Sequence, residues 1–167
     1  RSVTHPSTPT RTAVREPSDV LLLHLLDCLS VVGPLARHGV MSHAEGAGLR
    51  VLDAGSGGGL PGVVLSISRP AWSVVCADTV GKKVAFVRQV AAELGLQGLT
   101  AAHGRLEQMQ DARGFDVITS RAFASLSDFV ACTRQLLAPG GVWAAMKARD
   151  PGVEVAGLPA DIDVFHV

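Results

Sequence analysis

The sequence predicts an α/β protein: one domain, with a mostly parallel sheet and helices on both faces. Three observations carry this. The chain has 167 residues, enough to bury a sizeable core without disulfides or metals. From about residue 49 onward, short strand-like runs alternate with helical stretches, the pattern of parallel strands joined by crossover helices. Between the first strand and the first of these helices lies "VLDAGSGGGLPG", with five glycines in twelve residues.

The elements follow in order. Residues 1 to about 16 read as an arm, polar and proline-bearing. "PSDVLLLHLLDCLSVV" is a mostly buried helix, with Ser18 or Asp19 as N-cap and a stop near Gly33-Pro34, followed by the linker "RHGVMSHAEGAG". Then come "LRVLDA" (strand), "LPGVVLSIS" (helix, with proline near its start), "WSVVCAD" (strand) and "VGKKVAFVRQVAAELGL" (helix). "LTAAHG" and "FDVITS" are strands, "LSDFVACTRQLLAP" a helix and "GGVWAAMK" a strand. The terminal "IDVFHV" is one more strand candidate. This organisation divides into an arm and helix over residues 1–47, packing on a core over residues 48–167.

Composition narrows the function classes. Hydrophobic residues make up 47% and charged residues 18%, which excludes wholesale disorder, and no apolar run reaches the length of a membrane span. Lys+Arg and Asp+Glu balance at 15 each, so any nucleic-acid surface must be local. Cys28, Cys76 and Cys132 are odd in number and far apart, which suggests neither disulfides nor zinc; they read as buried small hydrophobes. With no apolar core of a secretory signal, a cytoplasmic protein is expected.

In an open parallel sheet, ligands sit outside the carboxyl ends of the strands, and the glycine loop falls there. Gly57, Gly59 and Gly62 fit the dinucleotide pattern G-x-G-x-x-G, but the first of them does not follow the strand directly. The register that does begins at Gly55, with Asp53 two residues earlier. A carboxylate aimed into the loop suits a cationic ligand and opposes the pyrophosphate of NAD. S-adenosylmethionine carries a sulfonium, an ammonium and no phosphate. Asp78, ending the next strand, suits the two ribose hydroxyls of either cofactor. The plainer alternative is a tight turn in which Asp53 only caps the helix.

The runs "LDAGSGGGLPGVVLSISRP", "ADTVGKKVAFVRQVAAELGL", "GRLEQM" and "FDVITSRAFASLSDFV", with "TAVREPSDVLLLHLLDCL" before them, resemble the ribosomal small-subunit methyltransferase G family, also called glucose-inhibited division protein B. The resemblance covers about residues 12 to 167. It implies a Rossmann-like class I S-adenosylmethionine-dependent methyltransferase that methylates N7 of a guanine in bacterial 16S rRNA. It also implies Gly55 and Leu60 in the cofactor loop, Asp78 at the ribose, Leu106 and Glu107 around the adenine, and Arg121 beside the cofactor. With Asp53 and Gly57 of the glycine loop, these form the expected cofactor site.

Guanine N7 has a lone pair and no proton, so the reaction needs orientation rather than a general base. No catalytic His or Cys is expected. His24 and Asp27 match an "HLLD" element of the family and lie three residues apart on one helical face, although a lone His there also reads as a hydrogen-bonded core residue. Arg105, Arg121 and Lys147 follow the ends of successive strands and are the candidates for rRNA contact, extended by Lys82, Lys83 and Arg88. For Arg121 the competing role is a salt bridge to Asp116 or Asp128.

Expected partners are 16S rRNA or the small subunit, with no membrane, and the chain is expected to be monomeric. The family has a helical segment before "TAVREP" and a basic residue where Leu23 stands, and methyltransferase sheets close with an antiparallel hairpin; the chain is therefore expected to be a truncated version. Three other functions compete: a non-catalytic RNA-binding domain of the same fold, a small-molecule methyltransferase, and an NAD-dependent oxidoreductase, which would need a proton donor and a substrate domain.

Overall fold

A computed structural model describes residues 17–40, 48–121, 123–147 and 151–164, without the side chains of residues 17–20, 36 and 38–40. The predicted arm lies outside the described residues. Five strands, β1 (Arg50–Ala54), β2 (Ser73–Asp78), β3 (Leu99–His103), β4 (Phe115–Ser120) and β5 (Leu137–Ala145), form one sheet in the order β3-β2-β1-β4-β5. All four pairings are parallel. The chain moves outward from β1 to β3 and then returns to the other side of β1 with β4. That reversal creates a crevice at the carboxyl ends of β1 and β4.

The helices are α1 (Pro17–Ser30), α2 (Val32–Val40), α3 (Gly62–Ser68), α4 (Gly81–Glu93), α5 (Leu126–Thr133) and the short α6 (Gly152–Val155). Successive β1 side chains face opposite layers. Val51 joins a core with Val32 and Leu35 of α2, Leu65 of α3 and Val87 of α4, while Leu52 joins Phe129 of α5, Phe115 and Ile118. Each fully buried Leu, Val or Phe contributes about 1.5–3 kcal/mol, so the sheet is held from both faces.

The first helix differs from expectation. It begins at Pro17, and Gly33-Pro34 do not end the helical region: a break at Val31 separates α1 from α2, which carries both residues in its first turn and runs on to Val40 through the start of the predicted linker. Pro34 is accepted because amides of a first turn have no intrahelical partner to lose.

The α5 region also differs. Ser125 caps α5, its Oγ accepting the Asp128 amide at 3.1 Å, but the helix stops at Thr133. A 3₁₀ turn (Arg134–Leu136) follows, and β5 starts three residues before the predicted strand. Pro139-Gly140 is an irregularity inside β5: the pairing passes from Phe115↔Leu137 to Val117↔Val142, and Gly140 takes φ +76°. The Trp143 indole N–H donates to Thr133 Oγ1 at 3.0 Å, and that hydroxyl donates to the Phe129 carbonyl at 2.6 Å, joining β5 to α5.

At the opposite end of the sheet, Arg50 opens β1. Its guanidinium bonds both oxygens of Asp111, at 3.0 and 2.8 Å, and the Gly114 carbonyl, and stacks on the Phe115 ring. Residues 162–164 of the last strand candidate form no strand, and residues 165–167 lie outside the described residues. No described helix is long and apolar enough to cross a membrane.

Candidate functional site

The glycine loop leaves β1 at Gly55 and turns back into α3. Gly55, Gly57 and Gly59 take φ of +69°, +57° and +89°, values that favour glycine. The Ser56 amide donates to the Ala77 carbonyl at 3.0 Å and the Gly57 amide to Asp78 Oδ2 at 2.9 Å, tying the loop to the end of β2. Asp78 Oδ1 accepts the Val80 amide at 2.8 Å, and Lys83 Nζ stands 3.8 Å from Oδ2. Asp78 is thus the joint between the loop and the start of α4.

Beside this joint lies a cleft of about 220 Å³. Gly55, Ala77, Asp78 and Thr79 form one wall; Arg105, Leu106 and Glu107 form the second; Phe123 and Cys132 close it. Leu106 and Glu107 lie on a 3₁₀ turn (Leu106–Gln108), held by Gln135 Nε2 donating to the Leu106 carbonyl at 2.9 Å. The Cys132 thiol donates to Glu107 Oε1 at 3.2 Å; the bond from Glu107's own backbone amide, and then this one, hold the exposed Glu107 below the usual carboxylate range. Cys28 and Cys76 are buried as expected, but Cys132 is half-buried at the cleft and was missed as a lining residue. Phe123, also missed as a lining residue, packs on Phe129 with ring centroids 5.2 Å apart.

Asp53 lies behind the loop, not in the cleft wall. Its side chain is 1% exposed; Oδ2 accepts the Gly62 amide at 2.8 Å, while Oδ1 has no hydrogen-bond partner among the described residues. Burial pushes this carboxyl up to about 7, against the lowering effect of the Gly62 amide and of the Arg121 charge. The helix-capping role and the cationic-ligand role are therefore compatible, since each has its own oxygen. Gly62 is required by the same contact, because a Cβ there would collide with Cys76 Sγ and stand 2.9 Å from Asp53 Oδ2. Leu60 is half-buried in the loop and does not line the cleft.

Arg121 follows β4 directly and is half-buried; its Nη1 donates to His24 Nδ1 at 3.1 Å, joining α1 to the carboxyl end of the sheet. The core-histidine expectation fails here, because His24 is exposed. Asp27 is exposed one helical turn along. Lys147 donates to Glu154 Oε2 at 2.8 Å and to the Phe123 carbonyl at 3.3 Å, so its charge is engaged within the chain. Glu154 Oε2 also accepts the Leu126 amide, fastening α6 to the start of α5. Arg105 is exposed at the cleft mouth, whereas Arg88 is bonded to the Ala101 carbonyl.

A parallel sheet in this order, a glycine loop after β1, an acid ending β2 and a cleft at the strand reversal make a Rossmann-like nucleoside site, and the matching family model makes it that of a class I S-adenosylmethionine-dependent methyltransferase. Two solved methyltransferases in complex with S-adenosyl-L-homocysteine share the fold: one from Thiobacillus denitrificans (TM-score 0.58, 20% identity, 72% of this chain and 47% of that one) and one from Geobacter sulfurreducens (TM-score 0.58, 19% identity, 72% and 47%). The chain belongs to the rRNA small subunit methyltransferase G family, whose model matches residues 10–166. It is 55% identical over 156 residues to the ribosomal RNA small subunit methyltransferase G of Leptothrix cholodnii, covering 93% of this chain and 69% of that one. The protein of the same name from Acidovorax ebreus is 54% identical over 159 residues, with 93% and 70% covered.

Proposed function

We propose that this protein transfers a methyl group from S-adenosylmethionine to N7 of a guanine in 16S rRNA, acting in the cytoplasm as a monomer. The observation that carries the reading is the meeting of Gly55, Asp78, Leu106 and Glu107, drawn from the carboxyl ends of three successive strands, in the walls of one cleft. The donor set fits the cofactor: an acid for the ribose, apolar Leu106 and Phe123 for the adenine, and a buried carboxylate oxygen without a partner among the described residues for a cationic group.

When bound, the cofactor supplies an electrophilic methyl group on a sulfonium. Asp78 would accept hydrogen bonds from the ribose through lone pairs not used by the Gly57 and Val80 amides. From behind the loop, buried Asp53 would favour a cationic group on the ligand, and the positive-φ glycines would let the loop backbone approach it without Cβ atoms in the way. The Glu107 backbone would hold the adenine edge and Leu106 would cover its face. Guanine N7 has a lone pair and no proton to lose, so transfer to it would need no general base from this chain, whose task would be orientation and exclusion of water. Arg121 holds the target strand and the cofactor from the β4 side, and Arg105 meets a phosphate at the cleft mouth. Lys147 joins them only when its bond to Glu154 opens.

The experiment is incubation of the protein with labelled S-adenosylmethionine and either 30S particles or naked 16S rRNA lacking the modification, followed by mapping of the label. Label at N7 of one guanine is the expected result. Cofactor binding without transfer to either RNA would instead favour an RNA-binding domain that has lost the reaction.

A further inference from the structure

The His24–Arg121 hydrogen bond fixes more than a contact between α1 and β4. A guanidinium has five N–H groups and no acceptor, so His24 Nδ1, 3.1 Å from Arg121 Nη1, must present a lone pair. With Nδ1 accepting, the ring nitrogen left to donate is Nε2. His24 is also the one polar side chain in the run from Leu21 to Leu26, and it remains exposed although one nitrogen is held. The result is a single N–H donor, set on a helix and oriented by Arg121, which directly follows β4 at the carboxyl end of the sheet.

The Hoogsteen edge of guanine presents two adjacent acceptors, N7 and O6. Methylation at N7 requires that its lone pair stay free, so a donor that orients the base must go to O6. Adenine carries an amino donor at that position and would set N–H against N–H. We propose that His24 is the specificity-determining residue for the target base, its Nε2–H donating to guanine O6 while Arg121 holds the ring through Nδ1. The proposal rests on the guanine-N7 reading above.

Two substitutions divide the roles of the ring nitrogens. In His24→Asn the amide oxygen occupies the place of Nδ1 and still accepts from Arg121, but nothing replaces Nε2–H. In His24→Gln the amide nitrogen reaches the place of Nε2 and keeps a donor there. The substrates are 16S rRNA with guanine at the target site and the same RNA with 2-aminopurine, which keeps N7 and lacks O6. Wild type and His24→Gln should prefer guanine by roughly tenfold in kcat/KM, the weight of one hydrogen bond, and His24→Asn should lose that preference with cofactor affinity unchanged. Nitrogen-15 NMR of the ring in the full chain gives a readout independent of activity, and a proton found on Nδ1 would overturn the proposal. So would an undiminished preference in His24→Asn, which leaves the methyltransferase reading intact. If wild type transfers no methyl group to either RNA, that reading fails and the proposal fails with it.

Discussion

The carboxylate of Asp53 receives the Gly62 amide at 2.8 Å from inside the sheet, so the last part of β1 caps the helix that the glycine loop leads into. The two residues are fitted to each other, because a methyl group on Gly62 would meet both Asp53 and the Cys76 thiol. We expect Gly62→Ala to destabilise the fold by about 1–3 kcal/mol, the range for overpacking a filled site. Adding Cys76→Ala should recover part of the loss by opening space on one side, and urea denaturation of the two single variants and the double variant would show it. Strict additivity of the two losses would mean that the contact is not the cause.

Asp53 also makes the protein sensitive to pH near neutrality. Its folded pKa, about 7, lies above the ordinary value of 3.8, so the folded chain holds a proton that the unfolded chain has released. Stability from this group is present at low pH and falls as pH rises from about 4 to about 7, at a limiting slope on the order of 1 kcal/mol per unit. Asp53→Asn should flatten that slope in denaturation curves at pH 5 and pH 8. A cationic ligand group at Oδ1 draws the same proton off, so cofactor affinity should rise with pH through about 7 in the wild type and not in the variant. Calorimetry in buffers of different ionisation enthalpy would register the released proton.

Arg50 and Asp111 have the opposite sign. The guanidinium holds Asp111 at about 2, below the ordinary 3.8, so this pair contributes stability above about pH 4 that is lost as pH falls toward 2. Asp111→Asn should cost about 2 kcal/mol at pH 7 and progressively less in acid. Because the pair sits at the end of β1 away from the cleft, cofactor affinity should stay unchanged. A fall in affinity at constant stability would contradict that placement.

Glu154 holds Lys147 and caps α5 with the same oxygen. Glu154→Gln keeps an acceptor for the Leu126 amide and removes the charge, which releases Lys147. RNA binding should then tighten, and the slope of log K against log salt should steepen by about one, the signature of one added phosphate contact. An unchanged slope would remove Lys147 from the RNA surface.

Much of this arrangement was legible in the residues. β4 has the predicted bounds, and β1 and β2 differ only by one residue at their starts, because strands buried on both faces read as continuous apolar runs between breakers. Gly55, Asp78, Arg105, Leu106 and Glu107 were expected near one site, and they line one cleft. Proline and glycine misled twice: Pro34 sits where a first helical turn tolerates it, and Pro139-Gly140 is absorbed by an irregular strand pairing. Local sequence does not distinguish either case from a break. The Arg121–His24 bond spans 97 positions, so only the packing of α1 against the sheet reveals it. Lys147 looked available because its partner Glu154 lies in a segment that local pattern left unassigned.

The two tryptophans stand at opposite ends of the sheet. Trp72 is buried just before β2, and Trp143 lies late in β5, bonded through Thr133 to the Phe129 carbonyl, with Phe129 in turn packed on Phe123 of the cleft. The protein thus carries two native fluorophores with different vantage points. With Trp72→Phe, emission isolates the ligand side, and with Trp143→Phe the remote side, so cofactor titrations and unfolding can be followed in the same molecule without an attached dye.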